Sequence, residues 1–122
     1  MANILLVEDD PNQQRLYKQD MEDAGHSVTV ASDGCEGLKK LESGSIDLVV
    51  LDISMPGMDG IEFIGKLLGR DNTIPIIVHT AYPQYKDNFL TWATEHYILK
   101  TPDTSLLLKR IDETLKEYAQ KK

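Results

Sequence analysis

Cysteine is nearly absent: the 122 residues contain one, Cys35, so an internal disulfide and a cysteine-rich metal site are both excluded. Positive charge is also scarce. Thirteen Lys and Arg stand against 20 Asp and Glu, for a net charge of −7, which argues against nucleic acid or an anionic membrane as a partner. No apolar run approaches the length of a membrane span. Met1-Ala2-Asn3 leads straight into a strand without a signal-peptide pattern, so the expected location is the cytoplasm. Linkers, internal repeats and low-complexity tracts are missing too, and residues 1–122 are predicted to form one domain. What remains is 41% apolar and 27% charged, the balance of a soluble globular domain large enough to bury a core.

Short apolar runs punctuate the chain. Ile4 to Val7 and Leu48 to Leu51 have the length and composition of strands covered on both faces, and Val28 to Ala31, Ile74 to His79 and Tyr97 to Leu99 read as further strands. Pro75 leads the fourth, where a missing N–H is tolerated. Helical stretches separate them. Asp10-Pro11 opens the first helix as N-cap and first helical residue; Leu16, Tyr17, Met21 and Ala24 are predicted to face inward, and Gly25 ends it. Asp33 opens a short helix with Leu38 and Leu41 inward. Asp59 and Glu62 are spaced as a capping pair for a third, which uses Ile61, Ile64, Leu67 and Leu68. A fourth helix is predicted from Pro83, with Tyr85, Phe89 and Trp92 on one face. The last carries Leu107, Leu108, Ile111, Leu115 and Tyr118 as its apolar stripe. Strand and helix thus alternate five times, which predicts an α/β fold, a (βα)5 doubly wound parallel sheet of five strands.

In such a sheet every strand's carboxyl end lies on one edge, where open α/β sheets hold ligands. That edge collects Glu8, Asp9 and Asp10 from the first strand, Asp52 from the third, Thr80 from the fourth and Lys100 from the fifth. Asp10 is better read as the helix cap than as a ligand. Two like charges about 4 Å apart repel by roughly 4 kcal/mol at an effective dielectric near 20, so Glu8, Asp9 and Asp52 together call for cations. Lys100 supplies one charge, and a divalent ion would supply two more; an oxygen-only donor set favours Mg²⁺. Asp52 then reads as a nucleophile toward a phosphoryl group, Lys100 as a neutraliser of its oxygens and Thr80 as a hydroxyl donor to the product. His26, His79 and His96 lack metal-ligand spacing and read as structural.

With these residues in this order, the whole chain resembles the bacterial two-component response-regulator receiver domain, of the stand-alone, chemotaxis-regulator-like kind. The resemblance implies the flavodoxin-like strand order 2-1-3-4-5. It assigns the acidic pair to Glu8 and Asp9, the phosphoacceptor to Asp52, a metal-binding backbone carbonyl to Ser54, the switch hydroxyl to Thr80, the switch aromatic to Tyr97 and the lysine to Lys100. It also implies a signalling phosphoacceptor rather than an enzyme, catalysing only its own phosphorylation and dephosphorylation. A sensor histidine kinase or phosphotransfer protein would supply the phosphoryl group. An unnamed downstream protein would read the face formed by the helix from Pro83, the fifth strand and the last helix. The chain ends with that last helix, so no effector domain is expected.

Two departures bear on these expectations. Most receivers carry proline directly after the lysine, in a cis peptide; here Thr101 intervenes before Pro102, which leaves the isomer of both bonds open. The stretch from Thr80 to Lys100 lacks the usual Gly-Ala turn, so the identity of the downstream partner does not transfer. The alternative is a degenerate receiver that binds partners without phosphorylation. Ser54 and Tyr82, two residues past Asp52 and Thr80, are expected to flank the path of hydrolytic water.

Overall fold

A computed structural model describes residues 2–52, 60–70, 73–81 and 94–121. Ser54, Asp59, Tyr82 and the helix expected from Pro83, with Tyr85, Phe89 and Trp92, lie outside the described residues.

The chain runs β1 (Asn3–Val7), α1 (Pro11–Asp23), β2 (Ser27–Ala31), α2 (Gly34–Ser43), β3 (Leu48–Leu51), α3 (Gly60–Arg70), β4 (Ile76–Thr80), β5 (His96–Leu99) and α4 (Ser105–Lys121). The five strands form one parallel sheet in the order β2-β1-β3-β4-β5. Two-sided burial explains the unbroken apolar runs. Leu5, Val7, Val49, Leu51, Ile76 and Val78 point to one face, under Leu38, Phe63, Ile64 and Leu67 from α2 and α3. Ile4, Leu6, Leu48, Val50, Ile77 and Ile98 point to the other, under Tyr17, Met21, Leu107 and Ile111 from α1 and α4. Alternate strand residues therefore feed two cores, and each fully buried aliphatic or aromatic side chain contributes about 1.5–3 kcal/mol.

Geometry favours glycine at two positions. Gly25 follows α1 with φ +99°, a left-handed conformation that reverses the chain into β2 and suits glycine. Gly37 sits where α2 crosses the sheet, and a Cβ there would lie 3.2 Å from Val7 Cγ2.

Several expectations need correction. Leu16 is half exposed and Ala24 is an exposed C-cap residue, not part of the core. Tyr17 and Met21, four residues apart, hold the sheet-facing stripe of α1, and Leu16 is turned about 100° away from Tyr17. The fourth strand starts at Ile76, not Ile74: Pro75 has no N–H to donate, although its carbonyl accepts from Val49 N at 3.0 Å. The fifth begins one residue early, at His96. Phe63 and Thr114, absent from the expected core, are fully buried. Thr114 satisfies its hydroxyl on the Arg110 carbonyl one turn back, at 2.7 Å. No described peptide bond is cis, so Lys100–Thr101 and Thr101–Pro102 are both trans.

Candidate functional site

The sheet's order decides where a site can form. The chain leaves β1 for β2 on one side and crosses back to β3 on the other, which opens a crevice at the carboxyl ends of β1 and β3. Glu8 and Asp9 leave β1 there, and Asp52 leaves β3. Their backbones are pinned by continuing ladder bonds, Glu8 N to Ala31 O and Asp52 N to Val7 O, both 3.0 Å. Carboxylate oxygens of Glu8, Asp9 and Asp52 all lie within 4.8 Å of one another. From two strands away Lys100 reaches in, its backbone N–H fixed to Thr80 O at 2.8 Å.

The Lys100 ammonium lies 2.6 Å from Glu8 Oε1 and 2.9 Å from Asp52 Oδ2, and also donates to the side-chain oxygen of Gln13. Glu8 is 2% exposed and Asp52 8%, so water screens these ion pairs less than it screens surface ones. Burial raises the Glu8 carboxyl above its usual range, and Lys100 works against that rise. The same burial would lower Lys100, but its bonds to Glu8 and Asp52 leave the ammonium raised overall and firmly charged.

α1 supplies the second wall. Asp10 Oδ1 accepts from Asn12 N at 2.8 Å and Gln13 N at 3.4 Å, so Asp10 is the N-cap, as its spacing suggested. Its own N–H points to Glu8 Oε2 at 3.3 Å. Gln14 fixes the Glu8 carbonyl through Nε2 at 2.5 Å and touches Ser32 Oγ at 3.2 Å. Beneath the ammonium, Tyr17 presents its ring, whose centroid is 5.7 Å from Nζ. His79 meets that ring edge-on, with centroids 4.8 Å apart. Burial, with Lys100 adding to it, pushes His79 down to about 4.

The sequence-predicted residues therefore separate into three groups. Glu8, Asp9, Asp52 and Lys100 come together around a recess of about 260 Å³ that Asp10, Gln13 and Ala81 also line. Thr80, fully buried at the end of β4, and Tyr97, half-buried against the α2–α3 core, stand on the two strands that lead to it. Ser54 lies outside the described residues. Gln13 was missed. A polar helix residue reads as solvent-facing, yet Gln13 lies four residues before Tyr17, on the helix face that meets the sheet; that spacing was the available signal. A larger groove, about 760 Å³, opens at the opposite end of the sheet near Ala2, Pro75 and Asp112 and is lined by none of the described candidate residues.

Three carboxylates facing one ammonium leave two negative charges in excess among the described residues. Closely placed hard oxygen donors at an open edge suit a small divalent cation such as Mg²⁺, so the residues present fit one. Chemically, the cluster offers a carboxylate held beside a fixed cation, with room above it for a tetrahedral oxyanion.

Residues 4–112 match the sequence model described as the response regulator receiver domain. Response regulator ArlR of Staphylococcus saprophyticus subsp. saprophyticus is 35% identical over 123 residues, which cover 99% of this chain and 56% of ArlR. The chain spans about half the length of the curated relatives it matches. Among solved structures, response regulator protein TrrA of Thermotoga maritima, in complex with Mg²⁺–BeF, is 36% identical with a TM-score of 0.89, covering 93% of this chain and 98% of that one. TrrA in complex with the histidine kinase ThkA matches at 36% identity and a TM-score of 0.82, over 97% of this chain and 98% of that one.

Proposed function

The chain belongs to the response regulator receiver domain family, and on that premise we propose that Asp52 accepts a phosphoryl group and that its arrival switches the domain between two states. The observation that carries this is the Lys100 ammonium 2.9 Å from Asp52 Oδ2, inside a cluster of three carboxylates. A sensor histidine kinase or phosphotransfer protein is the proposed donor, in keeping with the histidine kinase complex of TrrA. The retained trio Glu8, Asp9 and Asp52 with Lys100 supports this over a phosphorylation-independent interaction module. On this view residues 1–122 act as one receiver in the cytoplasm, without nucleic-acid or membrane contacts of their own.

The step is a substitution at phosphorus. An Asp52 carboxylate oxygen forms the new bond, the donor's P–N bond breaks, and its electron pair leaves with the nitrogen, which takes a proton from water. Lys100 is placed to neutralise the oxygens of the transferring group, which is where catalysis of phosphoryl transfer mostly lies. Glu8, Asp9, Asp52 and the Ser54 carbonyl would hold Mg²⁺. Bound there, the ion would offset the excess negative charge and neutralise phosphoryl oxygens. The chain turns over no other substrate: it catalyses only its own phosphorylation and dephosphorylation.

The product carries new negative charge and strong acceptor oxygens at one point. Thr80 is proposed to donate its hydroxyl to them and Tyr97 to follow, altering the face that β5 and α4 present to an unidentified downstream protein. Moving such an equilibrium from mostly off to mostly on takes about 5.5 kcal/mol of differential stabilisation. Incubation with Mg²⁺ and phosphoramidate is expected to add one phosphoryl group to the intact mass of the wild type and none to Asp52→Asn. An unmodified, folded wild type would refute the assignment.

A further inference from the structure

The geometry points to Gln13 as a positioning residue: its side-chain amide oxygen completes the set of acceptors that aims the Lys100 ammonium at Asp52. This rests on the assignment of Asp52 as phosphoacceptor above. An ammonium group has three N–H donors and accepts nothing. Here the three go to Glu8 Oε1 just past β1, Asp52 Oδ2 just past β3 and Gln13 Oε1 on α1. Three anchors hold a flexible four-carbon side chain more firmly than two would.

The local role that Gln13 would ordinarily fill is taken by another residue. Asp10 is the N-cap of α1, so Gln13 occupies the position from which a capping-box glutamine reaches back to the cap's backbone N–H. That N–H instead points to Glu8 Oε2 at 3.3 Å, and the Gln13 oxygen is turned to Lys100. Chemistry favours an amide in this place. A carboxylate would add negative charge to a rim already crowded by Glu8, Asp9 and Asp52, and would compete with Asp52 for the ammonium. A neutral oxygen supplies the acceptor without either effect. One turn along α1, the Tyr17 ring closes the remaining side, 5.7 Å from Nζ. When an Asp52 oxygen is taken into the bond to phosphorus, Glu8 and Gln13 keep the ammonium in place to meet the arriving oxygens.

The test compares the wild-type chain with Gln13→Leu, using phosphoramidate and Mg²⁺. The maximal rate of Asp52 phosphorylation is expected to fall about tenfold, the scale of outer-shell partners that orient a reacting group. The donor concentration giving half that rate should stay the same, because Gln13 orients Lys100 and does not hold the donor. In a Lys100→Ala background, Gln13→Leu should change nothing further, the mark of a residue acting through another. An unchanged rate in the single variant, or an equal fractional loss in the Lys100→Ala background, overturns the proposal. Proton exchange of the ¹⁵N-labelled Lys100 ammonium, followed by NMR, reports the anchor without phosphorylation. Slow exchange in the wild type and several-fold faster exchange in Gln13→Leu is the expected result; equal exchange overturns the anchor. A wild type that takes up no phosphoryl group would refute the Asp52 assignment alone, with the exchange measurement still deciding on Gln13.

Discussion

Lys100 and His79 both lie against the Tyr17 ring and answer burial in opposite ways. Lys100 keeps its charge because carboxylates meet it; His79, 4% exposed, gives its charge up. Its folded value near 4 lies below the ordinary 6.5, so as pH falls the unfolded chain takes the proton first. The associated stability is complete above pH 6.5 and is lost progressively toward pH 4. About 1.5 kcal/mol should disappear between pH 6.5 and about 5, the slope approaching 1.36 kcal/mol per unit as the unfolded imidazole becomes fully protonated. His79→Phe keeps a ring against Tyr17 and should flatten that part of the profile in denaturant melts across this range. A slope equal to the wild type's would contradict a neutral, buried His79. The site's charged residues were legible because strand ends in a parallel sheet share an edge, and Glu8, Asp52 and Lys100 each follow an apolar run directly. Gln13 and the Tyr17–His79 contact were not, because they depend on how α1 lies across the sheet, which periodicity does not encode.

At the scale of elements, α1 both braces the site and depends on a single cap. Asp10 Oδ1 accepts from Asn12 N and Gln13 N, and Gln13 is the residue that must be held in register. Asp10→Ala is expected to cost about 1 kcal/mol of stability, measured by urea unfolding, while Asp10→Asn, which retains the acceptor, loses much less. Equal losses in both would assign the effect to charge and not to the cap. Asp10-Pro11 announced this helix start plainly, as Ile4 to Val7 and Leu48 to Leu51 announced buried strands. The inward face of α1 was less legible: Leu16 is apolar but falls beside the Tyr17–Met21 stripe instead of on it. In α3, Phe63 neighbours Ile64 and packs with it and Leu67 under the sheet, a wider stripe than the expected positions allowed.

Across the whole molecule, alternation of strand and helix predicted the class of fold but could not order the strands; 2-1-3-4-5 followed only from resemblance to a family. That order matters, because it puts β3 beside β1 and so brings Asp52 to Glu8 and Asp9. The resulting excess of negative charge makes a coupled prediction. Mg²⁺ at about ten times its Kd should stabilise the fold by about 1.4 kcal/mol, and Asp9→Asn should lose most of that increment in thermal melts; an equal gain in both proteins would place the ion elsewhere. The central claim, that Asp52 itself takes the phosphoryl group, is tested most directly by reducing the phosphorylated protein with labelled borohydride, which marks an acyl phosphate at its own residue. The label should be found at Asp52 after peptide mapping. Label at Glu8, Asp9 or any other carboxylate, with Asp52 unmarked, would contradict it.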